Sequence, residues 1–433
     1  MAGRPVIDRP LVMFVCGTRP DAIKMAPLVQ LTAQSARLAP YVVVTGQERA
    51  QLDQVHEVFG LHADADLELP ASGPGIASVV AATMLSLTDV IREVKPAAVV
   101  VHGDTSAAFA AAQAAFYLEV PVVHLEAGLR TNDLSSPFPQ EAHRQLVSRV
   151  AALHLAPTNR NRMNLLAENV EPDKIVVTGN TVIDALQQMA ARVRGGDPAT
   201  DASEGIEVTD APDGNGKRPD AKRTRRRRIL VTTRRRHHPD GSAAAIARAL
   251  ARVAQARPDL DLVLPLDPDP VLRDTMLPVL SALPNVTIRG PMSYAEFIAE
   301  LSRCDLVVTD SGGLQEEAPG LGKPVLVTRA STERPEAVEA GAARLVGVEE
   351  DAIVAAVEEV LEDSSLYERM ATAVNPYGDG LASPRCLAAI EELLGVGQRE
   401  PDFVAHEGSL TRRLRHLTGL PRTSIRARRA SPA

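Results

Sequence analysis

Residues 11–24 have the sequence LVMFVCGTRPDAIK, and this stretch indicates the fold. The apolar run 11–16 predicts a strand buried on both faces, and the glycine turn after it leads into a helical pattern. Such a turn leaves backbone N–H groups free at the start of the helix, which is a favourable place for a phosphate. Arg19 adds a planar cation there, so the turn is a first candidate binding segment. The alternative is an ordinary turn with a solvated arginine.

The same alternation of apolar runs and helix-like segments continues along the chain. Further strands are predicted at 41–45, 97–102, 121–125, 152–156 and 175–177, and a second series at 229–232, 260–264, 286–288, 306–308 and 324–328. Runs rich in valine and isoleucine that are separated by helices are typical of a parallel sheet covered on both faces. The sequence therefore predicts two successive α/β units.

Length and composition agree with a globular protein of more than one domain. The chain has 433 residues, of which 45% are hydrophobic and 24% charged, so it can bury a large core. The net charge of -8 argues against a general nucleic-acid binder, whose binding face would be basic. Since no apolar run of roughly 18 residues occurs, we expect no membrane span.

The cysteines predict the compartment and argue against two kinds of site. Cys16, Cys304 and Cys386 lie far apart, and no CxxC pair occurs. This spacing argues against a disulfide framework and against a zinc site. Because the N-terminal residues also lack the apolar stretch of a signal peptide, the sequence predicts a protein of the reducing cytoplasm.

Composition changes between the two α/β units and again at the end of the chain. Residues 191–228 are rich in Gly, Pro, Asp, Ser and Arg, which predicts a disordered charged linker between domains at 1–190 and 229–375. Residues 401–433 predict a basic, disordered tail. We interpret both basic runs as solvated. The alternatives are an anion or nucleic-acid contact for the linker and an acidic partner for the tail.

A second candidate binding segment, TDSGGLQEE at 309–317, follows the predicted strand 306–308. Bare N–H groups at a helix start, which favour an anion, are supplied there by Ser311, Gly312 and Gly313. Glu316 or Glu317 could accept hydrogen bonds from ribose hydroxyls. The alternative is a simple helix cap at Asp310 or Ser311, but a cap does not need two glycines. Downstream, Arg334 is either a further cation for the ligand or a solvated loop residue.

Two carboxylates follow neighbouring predicted strands at the point where each strand ends. Asp104 belongs to the segment HGDT and Glu126 to HLEAGLR. Because ligands of parallel α/β sheets bind at the carboxyl ends of the strands, both acids are expected to face one small substrate and to share proton transfer. The alternatives are a helix N-cap for Asp104 and an ion pair of Glu126 with Arg130 or Arg144. Together the segments predict a nucleotide-linked substrate between two domains.

These segments resemble the non-hydrolysing UDP-N-acetylglucosamine 2-epimerases over about 11–190 and 229–395. The motifs that carry the resemblance are GTRPDAIKMAPLV, HGDT, HLEAGLRTNDLSSPFPQEAHR, TGNTVIDAL, TDSGGLQEEAPGLGKPVL, TERPEAVEAG and NPYGDG. The resemblance implies two Rossmann-like domains of the glycosyltransferase-B type with an interdomain cleft. It also implies a terminal helix within 376–400 that crosses back to the first domain, and a homodimer.

The resemblance further implies interconversion of UDP-GlcNAc and UDP-ManNAc by elimination and re-addition of UDP, without a metal or a cofactor. The implied catalytic residues are Asp104, Glu126 and Glu141. The residues implied to bind the UDP-sugar are mostly cations or backbone donors, with Glu317 for the ribose: Arg19, Lys24, Arg130, Arg144, Arg234, Ser311, Gly312, Gly313, Glu317 and Arg334.

The sequence departs from the family pattern at four polar positions. Gln140 replaces an acid of the family's proline-acid-acid segment, and Arg234 stands where the family has a catalytic histidine. Neither residue transfers a proton near neutral pH. Glu48 and Asp267 replace histidines of nucleotide or effector subsites. Three functions remain open: a 2-epimerase with altered proton transfer, a hydrolysing or related nucleotide-sugar enzyme, and a nucleotide-sugar binder with a regulatory role.

Overall fold

The computed structural model describes residues 9–46, 49–69, 75–195, 226–233, 242–266 and 269–405. The first domain alternates strands and helices: β1 (Leu11–Cys16), α1 (Arg19–Gln34), β2 (Ala39–Val44), α2 (Arg49–Phe59), β3 (Ala65–Asp66), α3 (Ile76–Val94), β4 (Ala98–His102), α4 (Ser106–Tyr117), β5 (Val122–Leu125), α5 (Gln140–Val150), β6 (Leu153–Ala156), α6 (Asn159–Ala167), β7 (Ile175–Val177) and α7 (Thr181–Arg194). The strands form one parallel sheet in the order β3-β2-β1-β4-β5-β6-β7.

The second domain repeats this plan. Its elements are β8 (Arg227–Thr232), α8 (Ser242–Ala256), β9 (Leu260–Pro265), α9 (Pro270–Leu280), β10 (Val286–Arg289), α10 (Tyr294–Arg303), β11 (Leu306–Thr309), α11 (Gly312–Gly320), β12 (Val325–Val327), α12 (Pro335–Glu339), β13 (Ala343–Leu345), α13 (Glu350–Glu362), α14 (Ser364–Ala371) and α15 (Ala382–Leu393). The sheet is again parallel, in the order β10-β9-β8-β11-β12-β13. The predicted α/β class with two parallel sheets is confirmed.

The two sheets place their candidate segments where strand order reverses. In the first sheet the order reverses between β1 and β4, and in the second between β8 and β11. The turn at Arg19 follows β1 and Asp104 follows β4, while Ser311 follows β11. These reversal points leave a crevice at the carboxyl ends of the strands, which is where α/β proteins bind ligands.

Local chemistry fixes the first of these turns. Thr18 caps α1 by accepting a hydrogen bond from the Asp21 N–H, and the Asp21 carboxylate accepts one from the Thr18 N–H at 3.1 Å. This reciprocal capping box starts the helix directly after the strand. Gly17 is required because α4 packs closely on the turn: a side-chain carbon at Gly17 would lie 2.4 Å from Cβ of Ala107.

The terminal helix α15 packs against α1 and α7 of the first domain. At its start, the carboxylate of Asp184 accepts hydrogen bonds from the N–H groups of Ala382 at 3.2 Å and Ser383 at 2.8 Å. Near its end, Glu391 accepts a hydrogen bond from Arg37 at 2.6 Å. Beyond the helix, the N–H of Phe403 donates to the carbonyl of Val177 at 2.7 Å, so the chain stays attached to the first sheet.

The expected linker lies between α7 and β8. Helix α7 extends to Arg194, past the expected boundary at 190, and β8 begins at Arg227, before the expected 229. Residues 196–225 and 406–433, on which most of the linker and tail predictions depend, lie outside the described residues. No helix within the described ranges is both long and apolar enough to cross a membrane.

Candidate active site

A chain of polar contacts joins the two domains at the crevice. Lys24 Nζ is hydrogen-bonded to Glu126, and Asn180 Nδ2 lies 2.8 Å from Oε2 of Glu126 and 2.8 Å from Oε2 of Glu316. Arg334 Nε donates to Oε1 of Glu316 at 2.6 Å. We call Lys24, Glu126, Asn180, Glu316 and Arg334 the cleft network. All five side chains are buried, so the site is organised by charge pairing away from water.

Glu126 is the centre of this network. Its backbone has φ 62, a left-handed conformation that non-glycine residues adopt at a cost of order 1–3 kcal/mol and that is frequent at functional sites. Burial alone would raise the pKa of Glu126, but the charges of Lys24 and His102 bring it well below its ordinary value. The carboxylate is therefore ionised and held in one orientation at neutral pH.

Behind Glu126, His102 lies between two carboxylates. Its Nδ1 is 3.0 Å from Oδ1 of Asp21, and its Nε2 is 3.4 Å from Oε2 of Glu126. Burial would lower the pKa of His102, but the charge of Glu126 and the hydrogen bond with Asp21 raise it to about 9. The ring is thus an imidazolium at neutral pH, and it helps to hold Glu126 ionised.

A second histidine, on β5, supports the loop that carries Asp104. Nε2 of His124 lies 2.8 Å from the carbonyl oxygen of Gly103. Burial and the nearby His154 lower the pKa of His124 to about 3, so the neutral ring donates this hydrogen bond. A side-chain carbon at Gly103 would lie 4.0 Å from Oε1 of Glu126, which places the Asp104 loop beside the Glu126 carboxylate.

Asp104 is the more accessible of the two predicted acids. Its side chain is 23% exposed, against 8% for Glu126. Arg144 Nε donates to Oδ2 of Asp104 at 2.7 Å, and Nδ1 of His143 lies 3.0 Å from the Asp104 carbonyl oxygen. The N-cap alternative for Asp104 is wrong, because the hydroxyl of Thr105 caps α4.

The phosphate-receptive turn of the second domain lies at the start of α11. Gly312 is the first residue of the helix, and the guanidinium of Arg334 passes close to it. Ser311 occupies the N-cap position, but its side chain makes no capping hydrogen bond within the described residues. Arg334 Nη1 also donates to Glu333 at 2.5 Å. A cation and a helix N-terminus therefore meet at one point, which suits a diphosphate.

Glu317 and Arg19 meet at the side of the cleft near α10. The hydroxyl of Tyr294 donates to Oε1 of Glu317 at 3.0 Å and so fixes that carboxylate. Arg19 reaches across from the first domain, and its Nη2 donates to the carbonyl of Met292 at 3.0 Å. The two residues predicted for diphosphate and ribose thus both contact the segment at 292–294.

Comparisons with known proteins identify relatives over most of the chain. A family model described as UDP-N-acetylglucosamine 2-epimerase matches residues 30–391. The chain belongs to the UDP-N-acetylglucosamine 2-epimerase family. It is 42% identical over 381 residues to the UDP-N-acetylglucosamine 2-epimerase of Escherichia coli strain K12, covering 88% of this chain and 98% of that protein.

Two solved structures of the family have the same fold. The Neisseria meningitidis UDP-GlcNAc 2-epimerase bound to UDP-GlcNAc superposes with a TM-score of 0.80 at 40% identity, covering 89% of this chain and all of that one. The S. aureus MnaA–UDP co-structure gives a TM-score of 0.80 at 37% identity and covers 91% of this chain and 100% of that chain. The family resemblance predicted from the motifs is confirmed.

Not every predicted site residue of this epimerase family member lies in the cleft network. Arg130 donates from Nε to Glu168 at 2.5 Å and from Nη2 to Ser148 at 2.8 Å, so it ties α5 to α6. The proposed ion pair of Glu126 with Arg130 or Arg144 is wrong, because Lys24 is the partner of Glu126. Three positions where the sequence departs from the family lie outside the described residues: Glu48, Arg234 and Asp267.

Glu141 is placed as a support for the neighbouring loop. It is fully buried and accepts hydrogen bonds from the N–H groups of Thr131 at 3.0 Å and Asn132 at 3.2 Å, and from Arg144 at 3.0 Å. Burial would raise the pKa of Glu141, but these donors lower it. Oε1 of the adjacent Gln140 is buried without a hydrogen-bond partner among the described residues. A buried amide oxygen without a partner among the described residues therefore occupies the position where the family resemblance implies an acid.

Sequence reasoning assigned no role to three side chains of the site. They are Asp21, His102 and Asn180. Asn180 follows β7, so its position at the carboxyl edge of the sheet was a usable signal. The pairing of Asp21 with His102 depends on the register of β1 and β4, which sequence does not reveal. Within the described part of the chain, no group of three or more His, Cys, Asp and Glu side chains is arranged to hold a metal ion.

Proposed function

We propose that the protein interconverts UDP-GlcNAc and UDP-ManNAc. The observation that carries the proposal is the cleft network, in which family-motif residues of both domains meet around one ionised carboxylate, Glu126. The relative from N. meningitidis, whose structure is described as bound to UDP-GlcNAc, supports the choice of nucleotide sugar.

The diphosphate binds at the start of α11. Backbone N–H groups of Gly312 and Gly313 face it, and Arg334 and Arg19 neutralise its charge from the two domains. Glu317, fixed by Tyr294, accepts hydrogen bonds from the ribose hydroxyls. In this arrangement the sugar lies over the carboxyl ends of β4 and β5, beside Asp104 and Glu126.

The reaction removes the proton from C2 of the sugar and breaks the bond between C1 and the diphosphate oxygen. The products of this half-reaction are 2-acetamidoglucal and UDP. UDP then adds back to C1 while C2 receives a proton on its opposite face. Because C2–H is a weak acid, proton removal and departure of UDP must act together, and the cations around the diphosphate favour that departure.

Two-sided proton transfer at C2 requires two groups, and we assign them as Asp104 and Glu126. Arg144 orients Asp104, which is the more exposed acid. Lys24 and His102 keep Glu126 ionised. Glu141 holds the loop at 131–132 and Gln140 has no titratable group, so neither transfers the proton.

NMR of the full chain with UDP-GlcNAc in deuterated water tests this function. Formation of UDP-ManNAc with deuterium at C2 is the expected result. Free ManNAc with UDP would replace the proposal by the hydrolysing reaction, and ligand broadening without turnover would replace it by a binding role. Asp104→Asn and Glu126→Gln are expected to lower kcat by about 10²-fold or more. The exposed Asp274 on α9 supplies the matched control Asp274→Asn, which should behave as wild type.

We also infer that the protein is a homodimer through the face formed by α3 and α4. These helices pack together and expose large apolar side chains: Leu85 at 69%, Phe116 at 50% and Tyr117 at 69%. Exposed apolar surface of this kind favours association. Light scattering should give twice the chain mass for the wild type and one chain mass for Tyr117→Asp. A monomeric wild type would contradict this inference.

We place the protein in the cytoplasm. Cys16, Cys304 and Cys386 are all buried as free thiols, which suits a reducing compartment. Cell fractionation tests this placement, and recovery of the protein from an oxidising compartment with blocked thiols would contradict it.

A further inference from the structure

Asn180 stands at the turn from β7 into α7, and every hydrogen-bonding group of its amide is used. Oδ1 accepts a hydrogen bond from the N–H of Val182 at 3.0 Å and so caps α7. The amide nitrogen must therefore face the opposite way, towards the carboxylates of Glu126 and Glu316, each at 2.8 Å. The side chain is 2% exposed, so water does not replace these contacts.

The two carboxylates belong to different domains. Glu126 directly follows β5 of the first sheet, whereas Glu316 lies in α11 of the second domain. Burial and the charge of Glu126 raise the pKa of Glu316, so the two buried carboxylates oppose one another at short range unless a donor lies between them. Asn180 supplies two N–H groups at that point. Lys24 also pairs with Glu126, and Arg334 pairs with Glu316.

We infer that Asn180 is a positioning residue that couples the approach of the second domain to the orientation of the Glu126 carboxylate. The inference rests on the proposed function, since it concerns the carboxylate assigned to proton transfer. Glu316 is bound by Arg334, the cation assigned to the diphosphate. A diphosphate that attracts Arg334 changes the charge balance at Glu316, and the shared amide of Asn180 transmits this change to Glu126.

A second contact fixes the same point. The N–H of Asn180 donates to the carbonyl of Tyr377 at 2.6 Å, and the amide of Asn375 donates to the carbonyl of Glu316 at 3.2 Å. The segment at 375–377 therefore contacts the backbones of both Asn180 and Glu316. Because these backbone contacts do not involve the Asn180 side chain, substitution of that side chain tests the amide alone.

The decisive variant is Asn180→Asp. Aspartate keeps the size of the side chain and caps a helix as well as asparagine does, but it places a carboxylate where two donors are needed. At pH 8 we expect kcat to fall by about 10²-fold or more, with a smaller change in KM. The loss should shrink as the pH falls, because a protonated aspartate regains one donor. The amide of Asn180 contacts Glu126 and Glu316. The charged groups next to these two carboxylates are Lys24, His102 and Arg334.

Two further variants separate positioning from folding. In the double variant Asn180→Asp with Glu316→Gln, the amide at position 316 can donate to the carboxylate at position 180. This variant should therefore recover part of the lost kcat at pH 8. Asn159→Asp, at the exposed start of α6, is the matched control and should keep wild-type kcat at every pH. A capping role alone predicts that Asn180→Asp is as stable and as active as the wild type, with the same pH profile, and that result would overturn the inference.

Failure of the proposed function would be visible in the wild type, which would then produce no UDP-ManNAc. In that case the thermal unfolding of Asn180→Asp still tests the inference. The gap in Tm between variant and wild type should narrow as the pH falls from 8 to about 5, since protonation of the aspartate removes the repulsion. A gap that is independent of pH, or absent, would contradict the assigned role of Asn180.

Discussion

Arg334 lies across the backbone of Gly312. A side-chain carbon at Gly312 would come within 2.4 Å of Nη1 of Arg334 and 2.9 Å of Oε1 of Glu333. Arg334 cannot withdraw readily, because it is buried and held by Glu316 and Glu333. Glycine at position 312 therefore allows the guanidinium of Arg334 to lie close to the backbone at the start of α11.

The first prediction concerns this contact. Because Arg334 is held in place, Gly312→Ala should push the start of α11 away from it and weaken UDP binding by about tenfold, which corresponds to about 1.4 kcal/mol. Isothermal titration with UDP measures the change. Gly313→Ala is the comparison. A side-chain carbon at Gly313 would lie 3.9 Å from its nearest neighbour, Oε2 of Glu317, so there is room for a methyl group. Equal losses in the two variants would show that the approach of Arg334 does not matter.

The second prediction concerns the imidazolium of His102. His102→Gln keeps a hydrogen-bond donor but removes the positive charge beside Glu126, so the pKa of Glu126 should rise and kcat should fall by about 10- to 100-fold at neutral pH. The measurement is the pH dependence of kcat/KM. We expect an alkaline limb near pH 9 in the wild type and its absence in the variant.

Stability gives an independent check on His102. Its pKa is raised from 6.5 in the unfolded chain to about 9 in the folded one, so its contribution to the free energy of unfolding is fully present below pH 6.5 and is lost as the pH rises through 9. The Tm of the wild type should therefore fall between pH 7 and 10 more steeply than that of His102→Gln. The exposed His62 provides the control His62→Gln, which should keep the wild-type slope.

The general plan of this fold follows from sequence because its strands are buried on both faces. Runs such as 11–16 are continuously apolar, and parallel pairing brings their ends to one edge, so the position of Asp104 and Glu126 could be predicted. Strands β3 and β13 were not predicted. β3 is only two residues long, and β13 carries the exposed Arg344 at its centre, so neither gives a buried pattern.

Side-chain partners were harder to predict than positions. Lys24 and Glu126 are separated by 102 residues, and the choice of Lys24 over a nearby arginine depends on how α1 lies against β5. Glu141 illustrates the same limit. The family resemblance implies a catalytic role for Glu141, but the fold of the loop at 131–132 directs backbone N–H groups onto its carboxylate. Such contacts arise from tertiary packing, which no local pattern encodes.

The third prediction concerns Gln140. Its Oε1 is buried without a hydrogen-bond partner among the described residues, at the first position of α5. Gln140→Glu places a carboxylate at this helix N-terminus, where the dipole favours it, and supplies a group that can exchange a proton. We expect kcat to rise several-fold and the pH profile to gain an acidic limb.

The control for this substitution is Gln54→Glu on the exposed face of α2, which changes the net charge equally. It should leave kcat unchanged. If Gln140→Glu instead lowers kcat, the position binds the sugar through the glutamine amide and the missing acid does not limit the reaction.

The fourth prediction concerns acid stability and the paired histidines of β5 and β6. His124 and His154 are neighbours across the two strands, and both are buried. Burial lowers the pKa of His154 to about 4, with smaller effects of Arg130 and Lys174. Since the unfolded chain binds this proton near pH 6.5, the contribution of the neutral ring is fully present above that pH and is lost as the pH falls towards 4.

His154→Leu fills a similar volume and cannot take up a proton. The wild type should lose roughly 2 kcal/mol of unfolding free energy between pH 7 and pH 5 through this histidine, by the usual 1.36 kcal/mol for each pH unit. Urea unfolding at the two pH values measures the loss, which should be smaller by about that amount in His154→Leu. The exposed His62→Gln should retain the full loss. Equal losses in wild type and His154→Leu would mean that His154 accepts its proton without unfolding, through a rearrangement of β6 that relieves the burial.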